Sequence, residues 1–346
     1  MRLRIVLVTV QFFAFSILAS AQWGFFTDGF SRDQLIKYTP NWTGERFPDG
    51  RPKVPQEWID RLKKDNEVTS EEAAWGPIRV TSLGNDYQHQ WVGGWLPINT
   101  GFKNRLIGRV FTVQFMPGRP EMATVTEAEA KAKGLSQHNV RTMDLLQPGD
   151  VVVVDMAGGR VKDGVYVGDN LAVGIWAKTG NGFVVNGGIR DREGIEPYGF
   201  PLYCKGVWPG VFGDLMLVGV NIPIRIDDVT VMPGDVVIGD SEGVSFVPPH
   251  LVQDVIEVAE VYHEADRWRH MKYIQNKGTI KPSDLYGAIG MRNPEWQKEC
   301  EAYVEQQMAK KGLPPANTRR LWKTRAYSGT GCGTQGPQPA APAKKL

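Results

Sequence analysis

The sequence predicts a layered α/β domain, in which buried strands form a sheet and helices pack against it. Two apolar, β-branched runs predict buried strands at Val151–Asp155 and Phe183–Asn186. Between them, Asp169–Thr179 is predicted to form a short helix, ending at Gly180, a residue type common just beyond helix C-termini. A strand, a helix and a second strand in this order are typical of α/β folds.

The remaining predicted elements extend this core on both sides. Alternation of apolar and other residues predicts a strand at Leu106–Phe115. The sequence Pro-Gly-Asp-Val-Val occurs twice, at Pro148–Val152 and Pro233–Val237, and each copy predicts a turn ahead of a strand. The copies are either corresponding elements of the sheet or two examples of a common turn. Further helices are predicted at Pro55–Lys64, Thr69–Trp75, Pro249–Ala259, Glu264–Asn276 and Pro294–Lys311.

Composition excludes several classes of protein. The chain has 346 residues, of which 42% are hydrophobic and 23% charged, as in ordinary globular proteins. Forty basic and 38 acidic residues give a formal net charge of +2, so the basic excess of a nucleic-acid-binding protein is missing. Three cysteines, Cys204, Cys300 and Cys332, with no Cys-x-x-Cys pair, exclude a disulfide scaffold and argue against a zinc site. We therefore expect no nucleic-acid partner.

Residues 1–21 have the three parts of a secretory signal peptide. Met1–Arg4 is basic, Ile5–Leu18 is an uncharged and mainly apolar run, and Ala19–Ala21 supplies the small residues of a cleavage site. The apolar run is shorter than the roughly 20 residues that span a bilayer. We expect cleavage after Ala21, a periplasmic or secreted protein, and no stable membrane span in the mature chain.

Changes in composition divide the rest of the chain. Trp, Pro and Gly are frequent over residues 22–104, an N-terminal extension that merges into the core. We place the core domain at residues 105–260 and a C-terminal helical extension at residues 261–326. Residues 327–346 are rich in Gly, Pro and Ala, so we expect a disordered tail.

The first candidate site is the predicted start of the helix after Gly168. Its residues are Gly168, Asp169, Asn170 and Leu171. Backbone N–H groups without intrahelical partners, together with the positive end of the helix dipole, attract a carboxylate or a phosphate there. Asp169 is also well suited to be the N-cap of the same helix.

The second candidate site is the Arg190-Asp191 pair, which follows the predicted strand and the glycines Gly187 and Gly188. Adjacent glycines let a substrate or another chain segment approach the backbone closely. An arginine beside an aspartate offers a clamp for an anion and a hard oxygen ligand for Mg²⁺. The same dipeptide is equally explained as an exposed ion pair.

Seven segments occur in an order that is similar to one protein family. They are Leu106–Thr112, Val151–Asp155, Gly168–Ala172, Phe183–Asp191, Tyr198–Pro201, Val231–Asp235 and Gly239–Val244. On these segments, the chain resembles the RraA-like family over about residues 45–260. That family includes regulators of ribonuclease activity and 4-hydroxy-4-methyl-2-oxoglutarate aldolases, which are also oxaloacetate decarboxylases. The resemblance implies a swivelling β/β/α fold, here with an N-terminal extension and C-terminal helices.

The resemblance also implies a metal-dependent lyase that cleaves a carbon–carbon bond of an α-keto acid through a pyruvate-type enolate. By this resemblance, Asp191 holds Mg²⁺ or Mn²⁺ and Arg190 binds the keto acid. The backbone of Gly168–Leu171 receives the substrate carboxylate, and Asp169 contacts a water of the metal ion. The family often has an acidic residue three positions after the metal-binding Asp, but this chain has Gly194 there, between Glu193 and Glu196.

Two further expectations follow from the same resemblance. Family members assemble as trimers or hexamers, so we expect a homotrimer or homohexamer whose other partner is a small α-keto acid. A non-catalytic RraA-like binding or regulatory scaffold is the alternative from another class, although an exported copy would not meet a cytoplasmic ribonuclease. An older methyltransferase name for such sequences has no support in a glycine-rich cofactor loop. The presence of both Arg190 and Asp191 favours the enzyme.

Overall fold

The structure is a computed structural model that describes residues 29–64, 68–80, 87, 90–101, 103–136, 138–285 and 293–312, with the backbone alone for 76–80. The predicted signal peptide, residues 1–21, and the predicted tail, residues 327–346, lie outside the described residues. Within the described part of the chain, every helix is too short or too polar to cross a membrane.

The described residues form strands and helices in alternation through the middle of the chain. The strands are β1 (Trp91–Gly93), β2 (Leu96–Ile98), β3 (Leu106–Pro117), β4 (Asp150–Met156), β5 (Val165–Val167), β6 (Phe183–Ile189), β7 (Leu202–Val207), β8 (Leu215–Val220), β9 (Ile224–Ile226), β10 (Val229–Val231), β11 (Val236–Gly239) and β12 (Gly243–Val247). The helices are α1 (Arg32–Tyr38), α2 (Gln56–Lys63), α3 (Ser70–Val80), α4 (Pro120–Ala132), α5 (His138–Asp144), α6 (Asp169–Thr179), α7 (Arg192–Ile195), α8 (Val252–Gln275), α9 (Pro282–Leu285) and α10 (Pro294–Lys310).

The main sheet is mixed and its two ends lie near each other. Its strand order is β1-β12-β11-β3-β4-β6-β7-β2, with β5 beside β6 and β8 beside β3, while β9 and β10 form a separate hairpin. The pairs β3–β4, β4–β6 and β6–β7 are parallel. Because only Gly94 and Trp95 separate β1 from β2 in the chain, the first and last strands of this path lie near each other. The Tyr203 hydroxyl donates a hydrogen bond to the carbonyl of Asp240.

Both faces of the central strands are buried, which explains why they are continuous apolar runs rather than alternating ones. Val151 and Val153 of β4 belong to a cluster shared with β11, β12 and the β9–β10 hairpin. Val152 and Val154 belong to a second cluster that includes side chains of α5 and α6. Successive side chains of a strand point to opposite faces, so one valine run supplies two hydrophobic layers.

Most of the predicted elements are confirmed, and α6 has the predicted bounds, Asp169–Thr179, with Gly180 in the left-handed conformation at its end (φ 73°). The separate helices predicted at Pro249–Ala259 and Glu264–Asn276 are wrong. A short 3-10 helix, Pro249–Leu251, leads into the single helix α8, and the domain boundary predicted at residue 260 falls inside it. Since α8 contains neither Gly nor Pro, nothing in its sequence ends it at that point.

The two Pro-Gly-Asp-Val-Val copies are corresponding elements of the sheet, because they lead into β4 and β11, the strands that pair with β3 on its two sides near its start. In each copy the Asp carboxylate accepts a hydrogen bond of 2.9 Å from the backbone N–H three residues earlier, at Asp150 and at Asp235. The two carboxylates differ in their surroundings. Asp150 is paired with an arginine, whereas burial raises the pKa of Asp235 to about 8.

A buried arginine attaches the N-terminal extension to the main sheet. Arg51 is 0% exposed, and its guanidinium donates to Asp150 at 2.9 Å and to Asp49 at 2.8 Å. It also lies over the rings of Phe47 and Phe111. On the other side of the chain's core, α2, α3 and α8 share an apolar cluster, and α10 packs on the second half of α8.

Candidate functional site

Two parallel strands bring the two candidate sites of the sequence together. In the pair β5–β6, Val167 lies opposite Ile189, and the backbone N–H of Arg190 donates to the carbonyl of Val167 at 3.0 Å. Gly168 follows β5 directly and Arg190 follows β6, so two strand-to-helix turns lie side by side. The carboxyl ends of parallel strands are where α/β sheets commonly place their ligands.

The first turn begins α6. Gly168 is the N-cap, with extended backbone (φ −100°), and its carbonyl accepts a hydrogen bond from the N–H of Ala172. The interpretation of Asp169 as the N-cap is therefore wrong: Asp169 is the first helical residue. Its Oδ1 accepts a 2.7 Å hydrogen bond from the N–H of Asn170. The N–H groups of Asp169 and Leu171 belong to the first turn, which an α-helix leaves without intrahelical partners.

The second turn carries the Arg190-Asp191 pair. Nε of Arg190 lies 3.3 Å from Oδ2 of Asp191, and the two side chains are 37% and 48% exposed. Asp191 is the N-cap of α7 and has a left-handed backbone (φ 56°), a conformation that Asp tolerates better than most residues. Both side chains are thus open to solvent at the end of the buried strand β6.

The two turns are close enough that side chains of one occupy space beside the glycines of the other. A Cβ at Gly168 would overlap Oδ2 of Asp191 and lie 3.0 Å from Nε of Arg190. A Cβ at Gly194 would lie 2.7 Å from Oδ2 of Asp169. The structure therefore places Gly168, Asp169, Arg190 and Asp191 in one site.

The glycines Gly187 and Gly188 lie within β6, so the strand continues beyond the predicted end at Asn186. A Cβ at Gly187 would be 2.6 Å from Cβ of Met156, and one at Gly188 would be 3.0 Å from the carbonyl oxygen of Val161. The end of β4 and the loop after it, both in the same chain, approach these glycines closely. Their small size lets that loop pack beneath the site.

Glu196, one of the two acidic residues near Gly194, is paired with an arginine. Oε1 of Glu196 lies 2.5 Å from Nε of Arg192, one turn away along the chain. The carbonyl of Glu196 accepts a hydrogen bond from the side chain of Asn99. The space next to Gly194 is instead taken by Asp169.

The oxygen donors of the two turns fit a hard cation that keeps much of its water. Within the described ranges, no three His, Cys, Asp or Glu side chains are placed to hold a metal together. Mg²⁺ commonly binds through one or two carboxylates and completes its shell with water and substrate oxygens. The half-exposed carboxylate of Asp191, with Asp169 on the neighbouring turn, suits that kind of binding.

Sequence reasoning missed a polar row across three strands at the same end of the sheet. Asp155 of β4 is buried and accepts hydrogen bonds from Gln114 of β3 at 2.6 Å and from Asn186 of β6 at 2.8 Å. Burial raises the pKa of Asp155. The available signal was a polar residue directly after each valine run, at Asp155 and Asn186. The row ties together the strand ends that support the site.

The fold and the site together define an α/β protein with a mixed sheet, whose polar site lies on two adjacent strand-to-helix turns. Residues 82–245, just under half of the chain, match the family model RraA-like, described as Aldolase/RraA. The chain therefore contains an RraA-like domain, as its motifs predicted, and both turns of the site fall within the match.

Relatives with curated names agree with this assignment. The chain is 28% identical over 143 residues to a putative 4-hydroxy-4-methyl-2-oxoglutarate aldolase of Halalkalibacterium halodurans, covering 41% of this chain and 67% of that protein. It is 27% identical over 173 residues to the 4-hydroxy-4-methyl-2-oxoglutarate aldolase of Thermus thermophilus, covering 49% of this chain and 92% of that protein.

The fold comparison points to the same family. The crystal structure of Streptomyces coelicolor RraAS2, described as an unusual member of the RNase ES inhibitor RraA protein family, matches with a TM-score of 0.51 and 26% identity. The match covers 64% of this chain and 100% of RraAS2. The predicted α/β fold of the RraA type is therefore confirmed.

Proposed function

We propose that this protein is a divalent-metal-dependent lyase that cleaves a carbon–carbon bond of an α-keto acid. The observation that carries the proposal is the parallel register of β5 and β6, which sets the first turn of α6 beside Arg190 and Asp191. An anion-binding turn, a guanidinium and a hard carboxylate are what an α-keto acid and its metal ion require. The names of the Halalkalibacterium and Thermus relatives support this class of reaction.

Each residue has a role that follows from its position. The first-turn N–H groups of Asp169 and Leu171, at the positive end of the α6 dipole, receive the substrate carboxylate. The planar guanidinium of Arg190 holds a second oxygen of the keto acid and adds fixed positive charge where negative charge develops. Asp191 and Asp169 are the residues that would hold the divalent cation, Asp191 directly and Asp169 through water.

The chemistry requires stabilisation of an enolate. In the retro-aldol direction, the 4-hydroxyl of a 4-hydroxy-2-oxo acid loses its proton, a C=O double bond forms at C4, and the bond between C3 and C4 breaks to release C4 as the carbonyl carbon of the second product. The electron pair passes to the keto group, and the resulting enolate is then protonated at C3 to give pyruvate. A bound divalent cation supplies Lewis-acid stabilisation of that charge. Arg190 would supply the protein's own share of that stabilisation, and the carboxylate of Asp169 would accept the hydroxyl proton, directly or through a water.

Oxaloacetate decarboxylation passes through the same enolate, because loss of CO₂ from C3 leaves the same electron pair. One site therefore serves both reactions. No Schiff base is needed, and the proposed site contains no lysine.

One observation favours a second candidate, a non-catalytic scaffold. The fold is shared with RraAS2, which is described as an unusual member of the RNase ES inhibitor RraA protein family. On this alternative, Arg190 and Asp191 are an exposed ion pair on a binding surface. The assay below separates the two candidates.

The test is pyruvate release by the purified protein from 4-hydroxy-4-methyl-2-oxoglutarate and from oxaloacetate, with Mg²⁺ or Mn²⁺. Since free metal ions also decarboxylate oxaloacetate, a protein-free reaction at the same metal concentration is the blank. We expect release above that blank, loss in excess chelator and recovery when metal is added back. Release no faster than the blank from either substrate would favour the scaffold, and full activity in excess chelator would contradict the metal site.

A further inference from the structure

We infer that Gly194 is a positioning residue of the proposed site, because its missing side chain lets Asp169 lie against α7. The inference rests on the proposed function, which gives Asp169 its role. Residue 194 is a glycine, so the role that we infer for it comes from the absence of a side chain.

The geometry is reciprocal between the two turns. Asp191, on the α7 turn, lies over Gly168 of the α6 turn, and Asp169, on the α6 turn, lies over Gly194 of the α7 turn. Each carboxylate thus uses the space beside a glycine on the opposite turn. This arrangement brings the two turns closer than side chains at residues 168 and 194 would allow.

The backbone at Gly194 does not itself demand glycine. Gly194 lies in the helical segment α7 and is absent from the glycines with positive φ. Glycine is the poorest helix former after proline, so local preference alone would favour alanine or glutamate there. The reason for glycine is therefore the space beside it, not its conformational freedom.

A side chain at this position would disturb Asp169. The added Cβ would lie 2.7 Å from Oδ2 and 2.9 Å from Cβ of Asp169. Both distances are shorter than the non-bonded contacts that a Cβ atom normally makes. The Cβ of Asp169 is fixed by the α6 backbone and cannot rotate away. Either the two helices move apart or the Asp169 carboxylate turns, and both movements change its position relative to Asp191.

The chain offers a matched control. Gly174 lies on the exposed side of α6, also has no positive φ, and a Cβ there would meet nothing within 4 Å. Gly194→Ala and Gly174→Ala therefore add the same methyl group. At residue 194 the methyl group would overlap Asp169, whereas at residue 174 it would meet no other atom. Gly174→Ala should equal the unmodified chain in activity and Mn²⁺ binding.

We expect Gly194→Ala to lower kcat/KM for pyruvate release by roughly 10- to 100-fold, since a displacement near 1 Å can cost that much. The loss should fall mainly on kcat, because Arg190 and the first turn of α6 still bind substrate. Mn²⁺ affinity, measured by electron paramagnetic resonance of the substrate-free protein, should also fall. Wild-type kcat/KM and Mn²⁺ affinity in Gly194→Ala would overturn the inference.

A double-mutant cycle covers the case in which Gly194→Ala is also less stable. Asp169→Gly removes every Asp169 atom that the new Cβ would meet. In that background, adding Gly194→Ala should lower neither Mn²⁺ affinity nor the melting temperature, so the two effects should not add. Full additivity would overturn the inference. An unmodified protein that binds no Mn²⁺ and releases no pyruvate would instead contradict the proposed function.

Discussion

Substitution of Arg190 and Asp191 separates a catalytic pair from a structural ion pair. Their side chains are 37% and 48% exposed and 3.3 Å apart, and exposed pairs of this kind contribute about 0–1 kcal/mol to stability. For a chain of this size, a loss of about 1 kcal/mol lowers the melting temperature by about 2–4 °C. We therefore expect Asp191→Ala and Arg190→Lys to melt within a few degrees of the unmodified protein.

Activity should respond very differently. Asp191→Ala removes the carboxylate proposed to hold the divalent cation, so pyruvate release should fall to the background rate. Arg190→Lys keeps the charge but loses the planar fork that grips two oxygens. Loss of a charged hydrogen bond of about 1.5–3 kcal/mol corresponds to about a 10- to 150-fold drop in kcat/KM, with KM and kcat both affected.

The assay is a thermal melt and a coupled pyruvate assay on the same preparations, with Lys53→Ala as the control. Lys53 forms a similarly exposed pair with Glu45 on the N-terminal extension, so it should change neither activity nor melting appreciably. A fall of 10 °C or more in either site variant, far above the shift expected for an exposed pair, would mean that the pair is structural. Unchanged pyruvate release in Asp191→Ala would refute its role.

Three other predictions concern the rest of the chain. Arg51→Met leaves the buried Asp150 without its cation, so the free energy of unfolding in urea should fall by about 3–5 kcal/mol. The control Lys53→Met, at an exposed ion pair, should lower it by less than about 1 kcal/mol. Equal losses in the two variants would contradict the proposed attachment of the N-terminal extension through Arg51. The pKa of Asp235 is raised to about 8 in the folded chain, so the folded chain holds this proton more tightly than the unfolded chain does. The resulting contribution to the free energy of unfolding is complete below the unfolded pKa of about 3.9 and is lost as the pH rises toward about 8. Asp235→Asn should therefore raise the melting temperature more at about pH 9 than at about pH 4, and an equal change at both would refute this. We also propose export with cleavage after Ala21, so N-terminal sequencing of exported protein should begin at the following glutamine; a cytosolic chain with an intact start would contradict it.

The sequence by itself determined the elements whose signals are local. The bounds of α6 follow from its own residues and from Gly180. The valine runs in β4 and β6 are apolar enough to predict buried strands without knowledge of their neighbours, and both strands are buried. The order of the motifs was enough to indicate the family. The prediction failed at α8, which is one helix and not two. The neighbours of this helix change along its length, but such a change requires no Gly or Pro in the sequence, so no local signal shows whether the helix continues.

The tertiary structure alone decided which side chains meet. Gly168 and Arg190 are neighbours because β5 and β6 pair in parallel with one register, and a strand register depends on packing that no short segment contains. The same holds for Asp169 against Gly194 and for Arg51 with Asp150, which are 99 residues apart in the chain. Local sequence sets φ and ψ preferences and the buried face of each element, whereas contacts of a few ångströms between distant residues arise only when those faces pack together.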